Sequence, residues 1–309
     1  MAKTGLRLYA AFAGRIDDGG FIESGYKGAR SACDRFGIAL EYVERIGVSA
    51  EDLAAAIEAG VATRPDLILA HGGSSDHAVA AVAPRHPSIR FLSTHGETSG
   101  ENFCSFNIAQ PQSAFLAGAL AGWMTKSGVV GHLSGIRIAP GLRGRAAYAA
   151  GVLTANPQAR LVTCFCGTQE DNTVTHRAAI AEIDAGVDIM YTMLNGGRQG
   201  AIAACRERGI AQIGNVRDWT VAEPDVFVAS AVADTGRLVY RWLEDIVCGR
   251  LTRGEVRTLG MEDSEAVRLA MAPSVPVVVR GKIEALAQEV AARRLVPPLE
   301  YLGPELTLG

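Results

Sequence analysis

This 309-residue chain has few charged and few aromatic side chains, and its charges are not clustered. Charged residues make up 20% and aromatic residues 6%, against 48% hydrophobic residues, and the net charge is −3. No run of Lys or Arg exceeds two residues, so the basic patch of a nucleic-acid-binding protein is missing. No apolar run approaches the roughly 20 residues of a membrane-spanning helix. The composition is that of a globular protein, and the length fits about two domains.

The cysteines show no paired spacing. Cys164 and Cys166 alternate along one apolar strand, a poor geometry for a mutual disulfide. The other four also lie mostly in apolar patterns: Cys33, Cys104, Cys205 and Cys248. We expect buried, reduced thiols, which favour a reducing compartment.

The first residues do not have the pattern of a signal peptide. We therefore expect a periplasmic or lipid-anchored protein if an export signal precedes them, and otherwise a cytoplasmic one.

The stretch 105–135 organises the chain. It begins as the end of an apolar strand and continues as a helix with apolar residues every four positions: Leu116, Leu120 and Met124. Gly118 and Gly122 have the same spacing, which lets another backbone come close. The helix is predicted to end at Ser127-Gly128, where a new apolar strand starts. We interpret this stretch as the first crossover between two lobes.

Apolar strands and helices alternate on both sides of this stretch. The first helix is predicted at 21–36, and Ser49 reads as the cap of the second. Such alternation predicts an α/β protein with parallel sheets and right-handed crossovers. The predicted lobes are 1–126 with 227–258 and 127–226 with 259–300, and 301–309 form a tail.

No catalytic or metal-binding motif is legible. His71 and His77 are six residues apart, which does not place them on one helix face, and neither has another ligand at suitable spacing. The segment 73–76 is not the G-x-S-x-G elbow of a hydrolase, and the glycines of 141–151 lack the G-x-G-x-x-G order. We therefore expect no enzymatic activity, no metal and no cofactor.

Four segments together resemble the basic membrane protein family of ABC-transporter substrate-binding proteins, in order and in spacing. They are DDGGFIESGYKG (17–28), SFNIAQPQSAFLAGALAG (105–122), TKSGVVGHLSG (125–135) and YAAGVLTANPQARLV (148–162). The best known members of that family bind purine nucleosides. The resemblance implies a type I periplasmic-binding-protein fold, with two Rossmann-like lobes, a three-segment hinge and a small-molecule ligand in the cleft. It also implies an ABC permease as partner if the protein is exported.

The resemblance identifies one stacking residue clearly and a second poorly. The family's D-x-S-F-N segment corresponds to residues 18–22, so the aromatic residue that stacks on the base corresponds to Phe21. A flat π face accepts any heteroaromatic ring. The family's second stacking aromatic falls near Ile202.

Three polar positions of the family are apolar in this sequence. The acid at the end of strand one falls on Phe12, the ribose-binding acid on Val216, and the lysine near the return strand on Ala233. Asp218 lies two residues after the expected ribose acid. A purine-like base therefore fits these residues better than a nucleoside does.

The candidate ligand residues lie near predicted strand ends, where binding residues concentrate. The apolar candidates are Phe12, Phe21, Ile202 and Trp219, and the polar ones are Asp18, His95, Asn195, Asn215, Arg217 and Asp218. Phe12 fits the core of strand one as well as a cleft, and Arg217 and Asp218 also fit a surface ion pair. We expect a solute-binding protein for a small, flat heteroaromatic ligand. The alternative is a cytoplasmic small-molecule sensor on the same fold.

Overall fold

The computed structural model describes residues 4–308, which divide into two compact α/β units. The first unit comprises the residues up to Ile108 together with Asp234–Leu259. The second comprises Ala109–Ala233 and the residues from Gly260 onward. The chain therefore passes from one unit to the other three times.

The described part of the first unit contains one parallel sheet with strand order β11-β5-β4-β3-β1-β2. In chain order its strands are β1 Arg7–Phe12, β2 Ala39–Val43, β3 Leu67–His71, β4 Arg90–Thr94, β5 Phe103–Ile108 and β11 Val256–Leu259. Its helices are α1 Phe21–Phe36, α2 Ala50–Ala62, α3 Asp76–Val82 and α8 Thr235–Val247. The helix predicted at 21–36 is present. Ser49 also caps α2, because its Oγ accepts a hydrogen bond from Asp52 N at 3.1 Å.

Helices cover both faces of this sheet. On one face, Leu53 and Ile57 of α2 pack with Val79 of α3 against the strands. On the other face, α1 lies beside α8 at very short range. A Cβ on Gly28 would stand 2.1 Å from the Gly236 carbonyl oxygen, so only glycine fits there. The carboxyl ends of the strands therefore meet the first turns of these helices.

The described part of the second unit also contains one sheet, with strand order β12-β10-β9-β8-β6-β7 and only the β10–β12 pair antiparallel. Its strands are β6 Val129–Ser134, β7 Arg160–Phe165, β8 Ile189–Met193, β9 Ala211–Val216, β10 Phe227–Ala233 and β12 Val267–Met271. Its helices are α4 Gln110–Met124, α5 Ala139–Ala155, α6 Asn172–Asp184, α7 Arg198–Arg208 and α9 Val277–Ala291. Val130 and Leu133 of β6 belong to the two different cores that flank this sheet.

The observed unit boundaries differ from those predicted at residues 126, 227 and 301. Helix α4 belongs to the second unit because its small residues pack directly on α5, and β10 belongs there because it pairs with β9 and β12. Residues 301–308 also belong there, since Leu306 N donates a hydrogen bond to Thr163 O at 2.8 Å. The hydropathy pattern predicted the helices and strands, but it could not predict which sheet each of them joins.

Helix α4 ends at Met124, three residues before the predicted stop at Ser127. The Asp188 carboxylate accepts hydrogen bonds from Lys126 N at 2.6 Å and from Ser127 N at 2.8 Å. It also accepts one from Thr125 Oγ1 at 2.7 Å. A carboxylate from another loop thus satisfies amides that a longer helix would have used internally.

We expect the contact between α4 and α5 to tolerate no added methyl group. A Cβ on Gly118 would lie 2.0 Å from the Tyr148 carbonyl oxygen. Gly118→Ala should therefore lower the free energy of unfolding by about 1–3 kcal/mol, in urea titrations. The matched control is Gly281→Ala in α9, where nothing lies within 4 Å of the added Cβ. That variant should gain up to about 1 kcal/mol from helix propensity. Equal stability of the two variants would contradict the proposed close approach.

Candidate functional site

In the first unit, the carboxyl ends of β1, β3 and β4 bring an aromatic cluster together. His71 ends β3 in register with Phe12 at the end of β1. His95 follows β4, and Phe21 begins α1. Ligands of open parallel sheets bind outside this edge, so this cluster is the candidate ligand site of the first unit.

Asp18 is buried, and its side chain accepts hydrogen bonds at the start of α1. Its carboxylate accepts hydrogen bonds from three backbone amides: Gly20 N at 2.8 Å, Glu23 N at 3.0 Å and Ile22 N at 3.2 Å. These amides belong to the loop and first turn of the helix, which have no intrahelical acceptor. Asp18 therefore fixes the helix start that carries Phe21, a role that the sequence did not indicate.

His71 is completely buried and uses both ring nitrogens. Its Nε2 lies 3.1 Å from the Phe21 carbonyl oxygen, and its Nδ1 lies 2.9 Å from Thr94 Oγ1. A carbonyl only accepts, so Nε2 carries the hydrogen and Nδ1 accepts from the Thr94 hydroxyl. Thr94 Oγ1 in turn accepts from Gly72 N at 2.8 Å. Burial, reinforced by the neighbouring His95, lowers the pKa of His71 to about 3, so the imidazole is neutral.

The Phe21 ring contacts two histidines. One of its faces stacks on the His71 ring, at a centroid distance of 4.5 Å and an interplanar angle of 28°. The His95 ring meets it edge-on, with centroids 5.0 Å apart. Phe21 is half-buried, so it is an accessible aromatic surface with a fixed orientation.

His95 is positioned by an unusual backbone. Its φ of 62° lies in the left-handed region, which is uncommon for a residue with a side chain. The Asp76 carboxylate holds the next residues in place by accepting from Glu97 N at 2.9 Å and Thr98 N at 3.1 Å. Within residues 4–308, His95 Nε2 is shielded from solvent and has no hydrogen-bond partner. Burial lowers the pKa of His95 to about 4.

Phe12 lies inside the unit rather than at its surface. It is 0% exposed, and its ring packs against Tyr26 of α1 at 6.0 Å and His71 at 5.6 Å. The alternation along β1 turns it towards α1. Phe12 is therefore a core residue in this structure, as the sequence allowed, and its ring packs against that of His71.

Trp219 is buried within the second unit. Only 4% of it is exposed, and its ring stacks on Phe227 at 5.7 Å. The guanidinium carbons of Arg198 and Arg217 lie 4.5 Å and 4.0 Å from the ring centroid. The indole Nε1 donates to Asn215 O at 3.1 Å. The ring is thus part of the internal packing, contrary to its expected exposure.

The remaining candidates of the second unit are also engaged locally. Ile202, which lies on α7, is 0% exposed in the core of this unit. Asn215 Oδ1 accepts a hydrogen bond from the buried Arg198. Asp218 accepts from Thr220 N at 3.0 Å and from Thr220 Oγ1 at 2.6 Å. Asn195 is half-buried in the loop after β8, where its carbonyl oxygen accepts from Arg198 N at 3.0 Å. Asn195 and Asn215 therefore both bond to Arg198, a residue that the sequence analysis missed.

The three positions that the resemblance aligns with polar residues of the family are buried and apolar. Phe12, Val216 and Ala233 are 0%, 6% and 2% exposed. Val216 has a φ of 69°, which is a strained conformation for a β-branched residue. Like His95, it lies at the carboxyl end of a strand.

Two absences hold for residues 4–308. No three His, Cys, Asp or Glu side chains there form a group that could bind a metal ion. None of the helices in that range is both long and apolar enough to cross a membrane.

Two α/β units with these sheets form a periplasmic-binding-protein type I fold, the class that the sequence predicted. The chain belongs to the Bmp family of PnrA-like ABC transporter substrate-binding proteins, whose family model matches residues 7–280. The predicted family is thereby confirmed.

Relatives with assigned names agree with this family. The chain is 24% identical over 293 residues to basic membrane protein A2 of Borrelia garinii, covering 92% of this chain and 86% of that protein. It is 25% identical over 155 residues to the purine-binding protein BAB2_0673 of Brucella abortus. That second match spans 50% of this chain and 44% of the Brucella protein.

Solved structures show the same fold. A solute-binding protein of an ABC transporter system from Aeropyrum pernix superposes with a TM-score of 0.83 at 20% identity, covering 95% of this chain and 94% of that one. A transcriptional activator of the comK gene from Bacillus halodurans gives a TM-score of 0.81 at 20% identity, covering 95% of this chain and 100% of that one.

We expect Asp18 to act on stability rather than on ligand contact. Asp18→Ala removes the acceptor of three amides and should lower the free energy of unfolding by about 1–2 kcal/mol without ligand. The control is Asp17→Ala, since Asp17 is exposed and pairs with the exposed Arg15 at 2.8 Å. It should change stability by less than about 0.5 kcal/mol. Unchanged stability of Asp18→Ala, with weaker ligand binding, would instead make Asp18 a ligand group.

Proposed function

We propose that this protein is the solute-binding component of an ABC importer and that it binds a flat, neutral heteroaromatic ring against Phe21. The observation that carries the proposal is the stack of the Phe21 ring on the buried His71 ring. Because His71 covers one face of Phe21, the opposite face is the one that a ligand ring can use. A ring already held by stacking and by hydrogen bonds to its backbone loses little entropy on binding.

His95 supplies the polar contact in this proposal. Its Nε2 is buried without a partner beside the Phe21 ring. A buried polar atom left unpaired costs about 1–3 kcal/mol, so a ligand atom that bonds to Nε2 removes that cost. A neutral imidazole offers a donor or an acceptor, depending on its tautomer. The ring edge of a purine-like base provides both kinds of atom.

The proposed ligand class follows from three positions that correspond to polar residues in the family and are apolar in this chain. Phe12, Val216 and Ala233 offer no side-chain hydrogen bond to a ribose hydroxyl. Each hydroxyl buried without a partner costs about 1–3 kcal/mol. A nucleoside brings several hydroxyls, whereas a free base brings none. The Brucella relative, whose name describes it as purine-binding, supports a purine-like ring without distinguishing bases from nucleosides.

The proposed role involves binding and delivery, with no covalent chemistry. Both histidines at the site have lowered pKa values, so neutral imidazoles are available there as hydrogen-bonding groups. The partner is an ABC permease, and the protein would act outside the cytoplasmic membrane. The ligand would be released to the permease unchanged.

We expect free bases to bind more tightly than their ribosides. Calorimetry with adenine and xanthine should give lower Kd values than calorimetry with adenosine, guanosine and inosine. The physical reason is the unmatched ribose hydroxyls. Submicromolar binding of a riboside, with no binding of the bases, would overturn the base assignment.

We expect Phe21→Leu to weaken binding of the best ligand by about 10- to 100-fold. Leucine keeps apolar bulk but loses the flat face, and one base–aromatic stack is worth about 1–3 kcal/mol. The control is Phe36→Leu in the same helix, whose ring packs on Tyr240 at 5.6 Å. The control should lose stability but keep its affinity in calorimetry. Equal affinity of Phe21→Leu and the unmodified protein would remove Phe21 from the site.

A ligand-responsive regulator is the second candidate function. The chain is 22% identical over 244 residues to the transcriptional activator protein med of Bacillus subtilis, covering 79% of this chain and 76% of that protein. Deleting the gene and measuring uptake of the labelled ligand separates the two roles. An importer component predicts loss of uptake, whereas a regulator predicts unchanged uptake by a constitutively expressed permease.

A further inference from the structure

Residues 301–308, which we term the strap, lie against the second unit and bring a carboxylate to a pair of arginines. Leu306 N donates to Thr163 O on the edge strand β7 at 2.8 Å, and Leu306 and Leu308 pack on the adjoining core. Between these contacts and Tyr301, the Glu305 carboxylate bonds to Arg145 with one oxygen and to Arg137 with the other. The strap is therefore held by backbone, apolar and ionic contacts together.

The two arginines lie where β6 and β7 end and α5 begins. Arg145 is 5% exposed, and it projects from the second turn of α5. Arg137 lies in the β6–α5 loop and is largely exposed. Although burial opposes it, hydrogen bonding from Arg145 and Arg137 lowers the pKa of Glu305. The strap thus supplies an ionised carboxylate to a buried guanidinium.

The arginine pair is positioned by residues that do not belong to the strap. The Phe165 ring, at the end of β7, lies 4.9 Å from the Arg137 guanidinium carbon and 5.0 Å from that of Arg145. The strap adds the Glu305 carboxylate and the Tyr301 ring, which lies 4.8 Å from the Arg145 guanidinium carbon. Phe165 would therefore keep both guanidinium groups in place if the strap moved away.

Polar atoms next to this pair have no partner within the described chain. Arg145 Nε, Ser134 Oγ and His132 Nε2 are shielded from solvent and make no hydrogen bond there. His132 and Ser134 lie on one face of β6, and the His132 ring is 5.9 Å from Phe165. Buried polar atoms are nearly always paired. Unpaired atoms on Arg145 itself and on the adjacent strand β6 leave hydrogen-bonding capacity beyond what the two oxygens of Glu305 use.

We propose that Arg137 and Arg145 form a second binding site, for a small carboxylate- or phosphate-bearing anion, and that Glu305 occupies it in competition with that anion. Two guanidinium groups held by one aromatic ring match the oxygens of a carboxylate or phosphate. The anion would displace the Glu305 carboxylate and loosen the strap from β7. This site lies wholly in the second unit and does not depend on the ring-binding site near Phe21.

The test measures binding of inorganic phosphate, and separately of acetate, by calorimetry in a buffer without other oxyanions. Glu305→Gln removes the competing charge, so it should bind at least one of the two anions at least tenfold more tightly than the unmodified protein. Glu300→Gln, an exposed neighbour, is the control and should leave both affinities unchanged. Adding Arg137→Gln to Glu305→Gln should abolish the gain. A gain for phosphate alone would identify the favoured oxyanion.

Hydrogen exchange provides a second readout on the unmodified protein. Saturating anion should speed exchange of the Leu306 amide, because displacing Glu305 frees the strap. The Ala39 amide, bonded to Leu6 O at 2.9 Å in the first unit, should be unaffected. The proposal fails if folded Glu305→Gln binds neither anion better than the unmodified protein does. It also fails if the Leu306 amide stays equally protected at saturating anion.

Discussion

The hydrogen bond from His71 to the Phe21 carbonyl is the interaction on which the candidate ligand site depends. It joins the end of β3 to the first residue of α1, and the same imidazole supports the Phe21 ring by stacking. Because burial keeps the imidazole neutral, the bond needs no counter-charge. Glycine at position 25 makes the approach possible, since a Cβ there would lie 2.4 Å from the His71 ring. The aromatic surface thus has a fixed orientation before any ligand arrives.

Much of the fold could be predicted from local patterns. The glycine spacing in α4 predicted a close backbone contact, which Gly118 makes with the Tyr148 carbonyl of α5. Ser49 predicted the start of α2. The same patterns could not assign α4 and β10 to a unit, because strand pairing is a non-local choice among similar apolar segments. The end of α4 was also unpredictable from sequence, since Asp188, whose carboxylate accepts from the amides just beyond the helix, lies far away in the chain.

The site was less predictable because polar residues at strand ends have two possible uses. Asp18 and Asp218 bind nearby backbone or hydroxyl groups, and Asn215 binds Arg198. Sequence position alone cannot tell whether such a group faces a ligand or its own loop. Trp219 and Ile202 show the same ambiguity for apolar residues, since both complete a core. The histidines at the ends of the adjacent strands β3 and β4 were the more informative signal, because neighbouring parallel strands place their ends together.

The burial of the thiols determines their reactivity. Burial raises the pKa of Cys33, Cys104 and Cys205 to about 12, so these thiols stay protonated at neutral pH. Oxidants and disulfide-exchange catalysts attack the thiolate, and they also need access to it. These cysteines are therefore inert in an oxidising environment as well as in a reducing one. Their number says nothing about where the protein works, and a chain with six cysteines can pass through an oxidising compartment with its buried thiols unchanged.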